Sequence, residues 1–258
     1  MKIIRDPSVY LVGRQVLDEG ELQRFLADHK VTGWTTDSTR AAEVLPEVAG
    51  RVCYMSFAKP RPGGNKTYLE HIKEVGHGSV LEHSIFNFII TGVSRSFTHE
   101  LVRHRAGFGY SQLSQRYVDE SVADFVEPDC IGDDPELHRT WLAAVEQAQQ
   151  AYVKLVEGLQ AKFASIEDKT LRRKMARQAA RSVLPNATET KIFVTANARS
   201  WRHFIELRCN EHAETEIRMV AAKVLEILQR EAPSLFGDYE FIELPDGTRG
   251  ARTAFRKV

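Results

Sequence analysis

Apolar positions recur along this chain with two spacings, and Gly and Pro separate the stretches that carry them. Residues 8–16 (Ser-Val-Tyr-Leu-Val-Gly-Arg-Gln-Val) predict an early strand. Residues 84–93 (Ser-Ile-Phe-Asn-Phe-Ile-Ile-Thr-Gly-Val) predict a buried strand by length and β-branched content, and 188–195 predict another. Helical spacing runs over 19–29, 38–56, 67–76, 94–103, 135–164, 168–184, 197–208 and 213–230. A Pro- and Gly-rich loop occupies 59–65, Gly76 and Gly78 stop the helix beside them, and Pro185 stops the helix before it. Asn197 is placed to cap the helix that follows. Residues 106–117, with Gly107 and Gly109, predict irregular or extended chain. Beyond Leu244 a Pro-Asp-Gly turn leads into a segment of net charge +3, predicting a mobile basic tail over 245–258. Strands and helices are interspersed without a clean linker. The pattern predicts one α+β fold over 1–258, a single mixed α/β domain with a central antiparallel or mixed sheet and long helices.

Composition narrows the class. The 258 residues are 43% hydrophobic and 27% charged, which suits a globular protein and excludes a disordered one. Thirty-five basic residues balance 35 acidic ones, so the positive excess of a general nucleic-acid coat protein is absent. Cys53, Cys130 and Cys209 stand far apart and are odd in number, which indicates neither a disulfide framework nor a zinc ribbon. Lys2, Arg5 and Asp6 interrupt the N-terminus, and no apolar run reaches membrane-spanning length, so a cytoplasmic protein with no membrane partner is expected. The basic residues are skewed, 23 Arg to 12 Lys. Arg makes planar, paired hydrogen bonds to phosphate and carboxylate that Lys cannot.

Three segments gather Arg with His, Ser, Gln and Asn. The first runs Glu100-Leu-Val-Arg-His-Arg105, through Ala-Gly-Phe-Gly-Tyr110, to Ser111-Gln-Leu-Ser-Gln-Arg-Tyr117. Cations ending a helix are favoured by its dipole, but the hydrogen-bonding groups at 111–116 and the glycines before them point to a ligand. The second is Arg177-Gln-Ala-Ala-Arg181 followed by Ser-Val-Leu-Pro-Asn186, in a stretch (167–181) of net charge +4. Arg172, Arg173 and Lys174 read as a solvated face, whereas Arg181, beside Val183 and Leu184, predicts partial burial with an anionic partner. The third is Asn197-Ala-Arg-Ser-Trp-Arg-His-Phe-Ile-Glu-Leu-Arg208. Arg199 and His203 share a helical face; Arg208 lies about 180° around from Arg199 at 3.6 residues per turn. Either the helix ends before Arg208, or its two faces serve different pockets, which implies sites at subunit contacts.

Arg103-His104-Arg105 followed by Ser114-Gln115-Arg116-Tyr117 resembles the signature of the flavin-dependent thymidylate synthases: Arg-His-Arg, a short spacer, Ser, then Arg and Tyr. His77-Gly-Ser79, Arg181 to Asn186 and Asn197 to Arg208 extend the resemblance in order along residues 77–208. The spacer departs from it, with eight residues from Ala106 to Leu113 against a usual seven. The extra residue falls among Ala106, Gly107, Phe108 and Gly109, which receive no role.

The resemblance implies synthesis of dTMP from dUMP, with methylenetetrahydrofolate as one-carbon donor and FAD, reduced by NADPH, as hydride carrier. It implies a homotetramer with active sites at subunit interfaces. Ser79, Arg103, His104, Arg105, Gln112, Asn197, Arg199 and His203 would contact FAD. Glu100, Leu101, Val102, Arg103, Gln112, Leu113, Ser114, Gln115, Arg116, Arg181 and Arg208 would hold dUMP. Arg208 would also be catalytic, drawing negative charge to N3 and O4 of uracil so that C5 becomes electron-rich. Chemistry agrees at several points. Both nucleotides carry phosphate, which Arg suits. No GxGxxG turn is present to hold a dinucleotide, so side chains must do so. No cysteine sits in a Pro-Cys-His type nucleophile motif. Ser114 has no adjacent base in sequence, so binding suits it better than attack.

Two other classes compete. A non-catalytic nucleotide- or RNA-binding protein could use the Arg clusters with Tyr110, Tyr117 and Trp201, but zero net charge and the absence of a known RNA-binding motif argue for no nucleic-acid partner. A metal-dependent hydrolase could draw on His71, His77, His83, His99 and His104, but no HExxH pair occurs and no metal is expected.

Overall fold

The computed structural model describes residues 1–59 and 62–258; Pro60 and Arg61 of the expected 59–65 loop lie outside the described residues. The elements run β1 (Ile3–Ile4), β2 (Ser8–Arg14), α1 (Glu19–Asp28), α2 (Ala41–Tyr54), α3 (Gly64–Glu74), β3 (Ile85–Ser94), α4 (Arg95–Leu101), β4 (Phe108–Gln112) and β5 (Phe125–Val126). They continue with α5 (Asp129–Gly132), α6 (Pro135–Lys162), α7 (Lys169–Ala180), β6 (Glu189–Asn197), α8 (Ala198–Arg208), α9 (Thr215–Glu231), α10 (Pro233–Phe236), β7 (Glu240–Glu243) and β8 (Arg249–Arg252). Mixed α/β architecture is thus present. One four-stranded sheet has the order β2-β3-β6-β4. No helix among the described residues is long and apolar enough to cross a membrane.

Helices begin where a short polar side chain can accept the first free amides. Asp18, Ser94, Asp134, Asp168 and Asn197 all do so at α1, α4, α6, α7 and α8. Helix α3 starts three residues before the expected position, because Asp37, distant in sequence, accepts from the Asn65 amide at 2.8 Å. The helix expected to reach Arg103 stops at Leu101, and five residues of the stretch expected to be irregular or extended form strand β4. Helix α7 closes with a 3-10 turn at Arg181–Val183, just before Pro185.

The chain divides into two compact units interleaved in sequence. The first comprises Met1–Ser8, Ile90–Arg103 and Ser111–Phe193. Here β1 and β5 pair in parallel, Ile3 opposite Phe125. Tyr152 and Val156 of α6 bury against Ala180 of α7. The second comprises Val9–Ile89, His104–Tyr110 and Val194–Val258. Its core holds Phe88 edge-on to Trp201 at 5.1 Å and Phe86 against Phe236 at 6.0 Å. The expected mobile tail is a correction. Strands β7 and β8 pair antiparallel, Glu240 opposite Arg252, and Arg202 of α8 donates to the Phe255 carbonyl at 3.0 Å. Alternation about the Pro-Asp-Gly turn makes a hairpin there, a pairing that net charge does not reveal.

Candidate active site

In the second unit, the segment after the first motif lies along α8. Trp201, Phe204 and Arg208 occupy one face of that helix at i, i+3 and i+7. Phe108 packs on Trp201 at 5.2 Å and on Phe204 at 6.4 Å. Ser200 Oγ donates to the Ala106 carbonyl at 2.8 Å. Gly107 has φ +73°, and a Cβ there would collide with Ser200 Oγ and lie 2.7 Å from Asn197 Nδ2. The four spacer positions without an expected role therefore include the ones that dock the loop. His104 is buried at 8% exposure, and its Nε2 accepts from Arg208 Nε at 3.0 Å. Tyr110 Oη donates to the His104 carbonyl at 2.6 Å, and burial pushes that phenol well above its usual range.

Helix α8 runs through Arg208, which removes the alternative that it ends earlier. Its opposite face carries Arg199 and His203, both exposed. Arg199 pairs with Glu82 at 2.6 Å, in the 3-10 turn Gly78–His83 that also presents exposed Ser79. Asn197 spends its side-chain oxygen on the Ser200 amide, a capping role. Arg105 is exposed. A cavity of about 600 Å³ in this unit, lined by Leu22, Trp34, Thr36 and Ala41 among others, includes none of the expected site residues.

The first unit holds the remaining residues. Arg95, the first residue of α4, donates to the Leu113 carbonyl at 2.9 Å, while the Leu113 amide donates to Lys191 of β6 at 2.9 Å. Gln112 donates to Thr98 Oγ1 at 3.0 Å. The 112–116 segment is thus clamped by α4 and β6. Within it Gln115 is buried and Ser114 half-buried, and Arg116 lies 6.0 Å from the Tyr117 ring with its Nε buried and unpartnered. Glu100 is half-buried, Leu101 is fully buried as a core side chain, and Val102 and Arg103 are exposed. The partial burial expected of Arg181 is a correction: Arg181 is exposed, at the start of the 3-10 turn Arg181–Val183. Arg177, by contrast, is tied to Asp119 at 2.7 Å and to the Tyr117 carbonyl.

Sequence reading missed Arg95, Thr98, Lys191 and Glu120. Burial drives Glu120 above the usual carboxylate range although Arg95 opposes it, and burial likewise lowers Arg95. The available signal was Arg95 directly after a strand and a capping Ser94. Cys209 is buried and its thiol pushed up to about 12, so no thiolate arises there at neutral pH.

The family described as thymidylate synthase complementing protein matches residues 36–234. A flavin-dependent thymidylate synthase of Mycolicibacterium gilvum is 54% identical over 220 residues, covering 84% of this chain and 87% of its own. One of Mycobacterium avium is 52% identical over 229 residues, 88% of this chain and 90% of its own. A solved UMP/dUMP methylase, PolB from Streptomyces cacaoi, bound with 5-Br dUMP, shares the fold with a TM-score of 0.68 at 20% identity, over 92% of this chain and 96% of that one. The present chain belongs to the flavin-dependent thymidylate synthase family.

Proposed function

We propose that this protein converts dUMP to dTMP by reductive methylation, taking the carbon from methylenetetrahydrofolate. FAD reduced by NADPH supplies the hydride. The observation that carries the reading is Arg208 held at a fixed acceptor on a buried helix face, in a chain of this family. The donor set suits two anionic nucleotides: Arg103, Arg105, Arg181 and Arg199 are exposed, and no dinucleotide-binding glycine turn competes with them. Glu100 to Arg103, Gln112 to Arg116, Arg181 and Arg208 are assigned to dUMP; Ser79, Arg103, His104, Arg105, Gln112, Asn197, Arg199 and His203 are assigned to FAD, Arg103 and Gln112 serving both.

Uracil C5 is a poor nucleophile. A guanidinium fixed near N3 and O4 stabilises the charge that develops there without reorganising. Arg208 is assigned that role, and the buried Cys209 leaves it no rival beside it. The protein is assigned to the cytoplasm and to a homotetramer with sites at subunit contacts; the opposed faces of α8 support the latter. The purified protein is expected to be yellow and to oxidise NADPH only with dUMP present. Arg208→Ala is expected to lower that rate by about 10²–10³. A colourless protein that consumes no NADPH favours nucleotide binding without catalysis.

A further inference from the structure

We propose that His104 is a positioning residue for Arg208; this rests on the catalytic assignment of Arg208 above. An arginine side chain can turn about its Cδ–Nε bond, and the direction of its terminal amino groups turns with it. An acceptor on Nε–H fixes the guanidinium plane and aims that terminal pair, the geometry needed for a two-point contact with adjacent ring atoms such as N3 and O4. His104 Nε2 is that acceptor, at 3.0 Å.

The imidazole is itself held. Its ring meets Phe204 edge-on at 5.2 Å, Phe108 at 5.9 Å and His203 at 6.1 Å, and its backbone carbonyl is tied to Tyr110. A guanidinium only donates, so His104 must present a lone pair at Nε2 and carry its proton on Nδ1. His104 is only 8% exposed, so these neighbours fix the orientation of its ring. The middle residue of the Arg-His-Arg motif thus acts on the uracil through Arg208, in addition to the FAD contact assigned to it above.

The test uses the holoenzyme and five forms: wild type, Arg208→Ala, His104→Phe, His104→Gln and the double variant His104→Phe/Arg208→Ala. Bound FAD, turnover, the KM for dUMP and the flavin absorbance change on adding dUMP are measured for each. His104→Phe keeps the packing ring but removes the acceptor. It is expected to retain FAD and lose turnover about 10- to 100-fold, the effect of one hydrogen bond to a charged group. His104→Gln, whose amide oxygen can accept from Nε, is expected to recover most of that loss. The double variant is expected to match Arg208→Ala alone, as residues acting through one another do not add. Losses that multiply, or FAD shed by both His104 variants, overturn the proposal. Wild-type turnover by Arg208→Ala instead removes the assignment beneath it, a result separable from the other two. Should His104→Phe not fold, His104→Asn replaces it, its amide being too short to reach; equal turnover of the Gln and Asn forms overturns the proposal.

Discussion

Ser114 tests how far a motif position can be read as chemistry. It sits half-buried, and its Oγ accepts weakly from the Arg116 amide at 3.4 Å. A serine attacks only when a base takes its proton. Gln115 and Arg116 cannot serve, since a guanidinium is protonated throughout the working range. Leu113, immediately before it, is clamped through both its carbonyl and its amide. Such rigidity suits a hydroxyl that holds phosphate or base in place. Ser114→Ala is therefore expected to lower dTMP formation by about tenfold without abolishing it, the loss of a binding hydrogen bond. Steady-state product analysis with dUMP titration separates the readings: complete loss of product with dUMP still binding would restore the nucleophile.

Helix α8 is placed by an ion pair as well as by apolar packing. Arg202, fully buried, makes two 2.8 Å bonds to Asp238, which also accepts from Lys73 at 2.6 Å. Burial alone would raise the Asp238 carboxyl, but the Arg202 and Lys73 bonds outweigh it and hold the group at about 2. A depressed carboxylate contributes stability that is present above its unfolded value of about 3.9 and is lost as pH falls through the folded one. The contribution is about 2 kcal/mol, fading between about pH 4 and pH 2. Asp238→Asn is expected to cost about 3–5 kcal/mol near neutrality by leaving a buried charge unpaired. Urea midpoints of both forms should converge toward pH 2, and a constant gap would remove this account. None of this network was legible beforehand, because Lys73, Arg202 and Asp238 belong to segments whose nearness only the fold creates. The helices were legible where a cap and an apolar stripe coincide, as at Asn197 and Trp201. The docking of Gly107 was half legible: its type signalled close approach, but not that α8 is what it approaches.

Assembly is where the two faces of α8 have their consequence. Arg199, His203 and Leu207 form an outward row at i, i+4 and i+8, with Leu207 47% exposed, while Arg208 points to the loop side with His104. In the same unit β2, at one end of its sheet's strand order, exposes Tyr10 and Val12. A chain with such surfaces suits self-association. The proposed homotetramer would run at about four times the 29.2 kDa chain mass in light scattering. Subunit mixing asks the sharper question. If Arg199 and Arg208 of one chain serve different pockets, each pocket takes Arg199 from one chain and Arg208 from another. Arg199→Ala and Arg208→Ala proteins, each impaired alone, should then regain activity when co-refolded or co-expressed. With random assortment about a quarter of the sites would hold both intact groups. Recovery near that fraction supports shared sites, whereas the simple average of the two parents would place both arginines in one chain's own pocket.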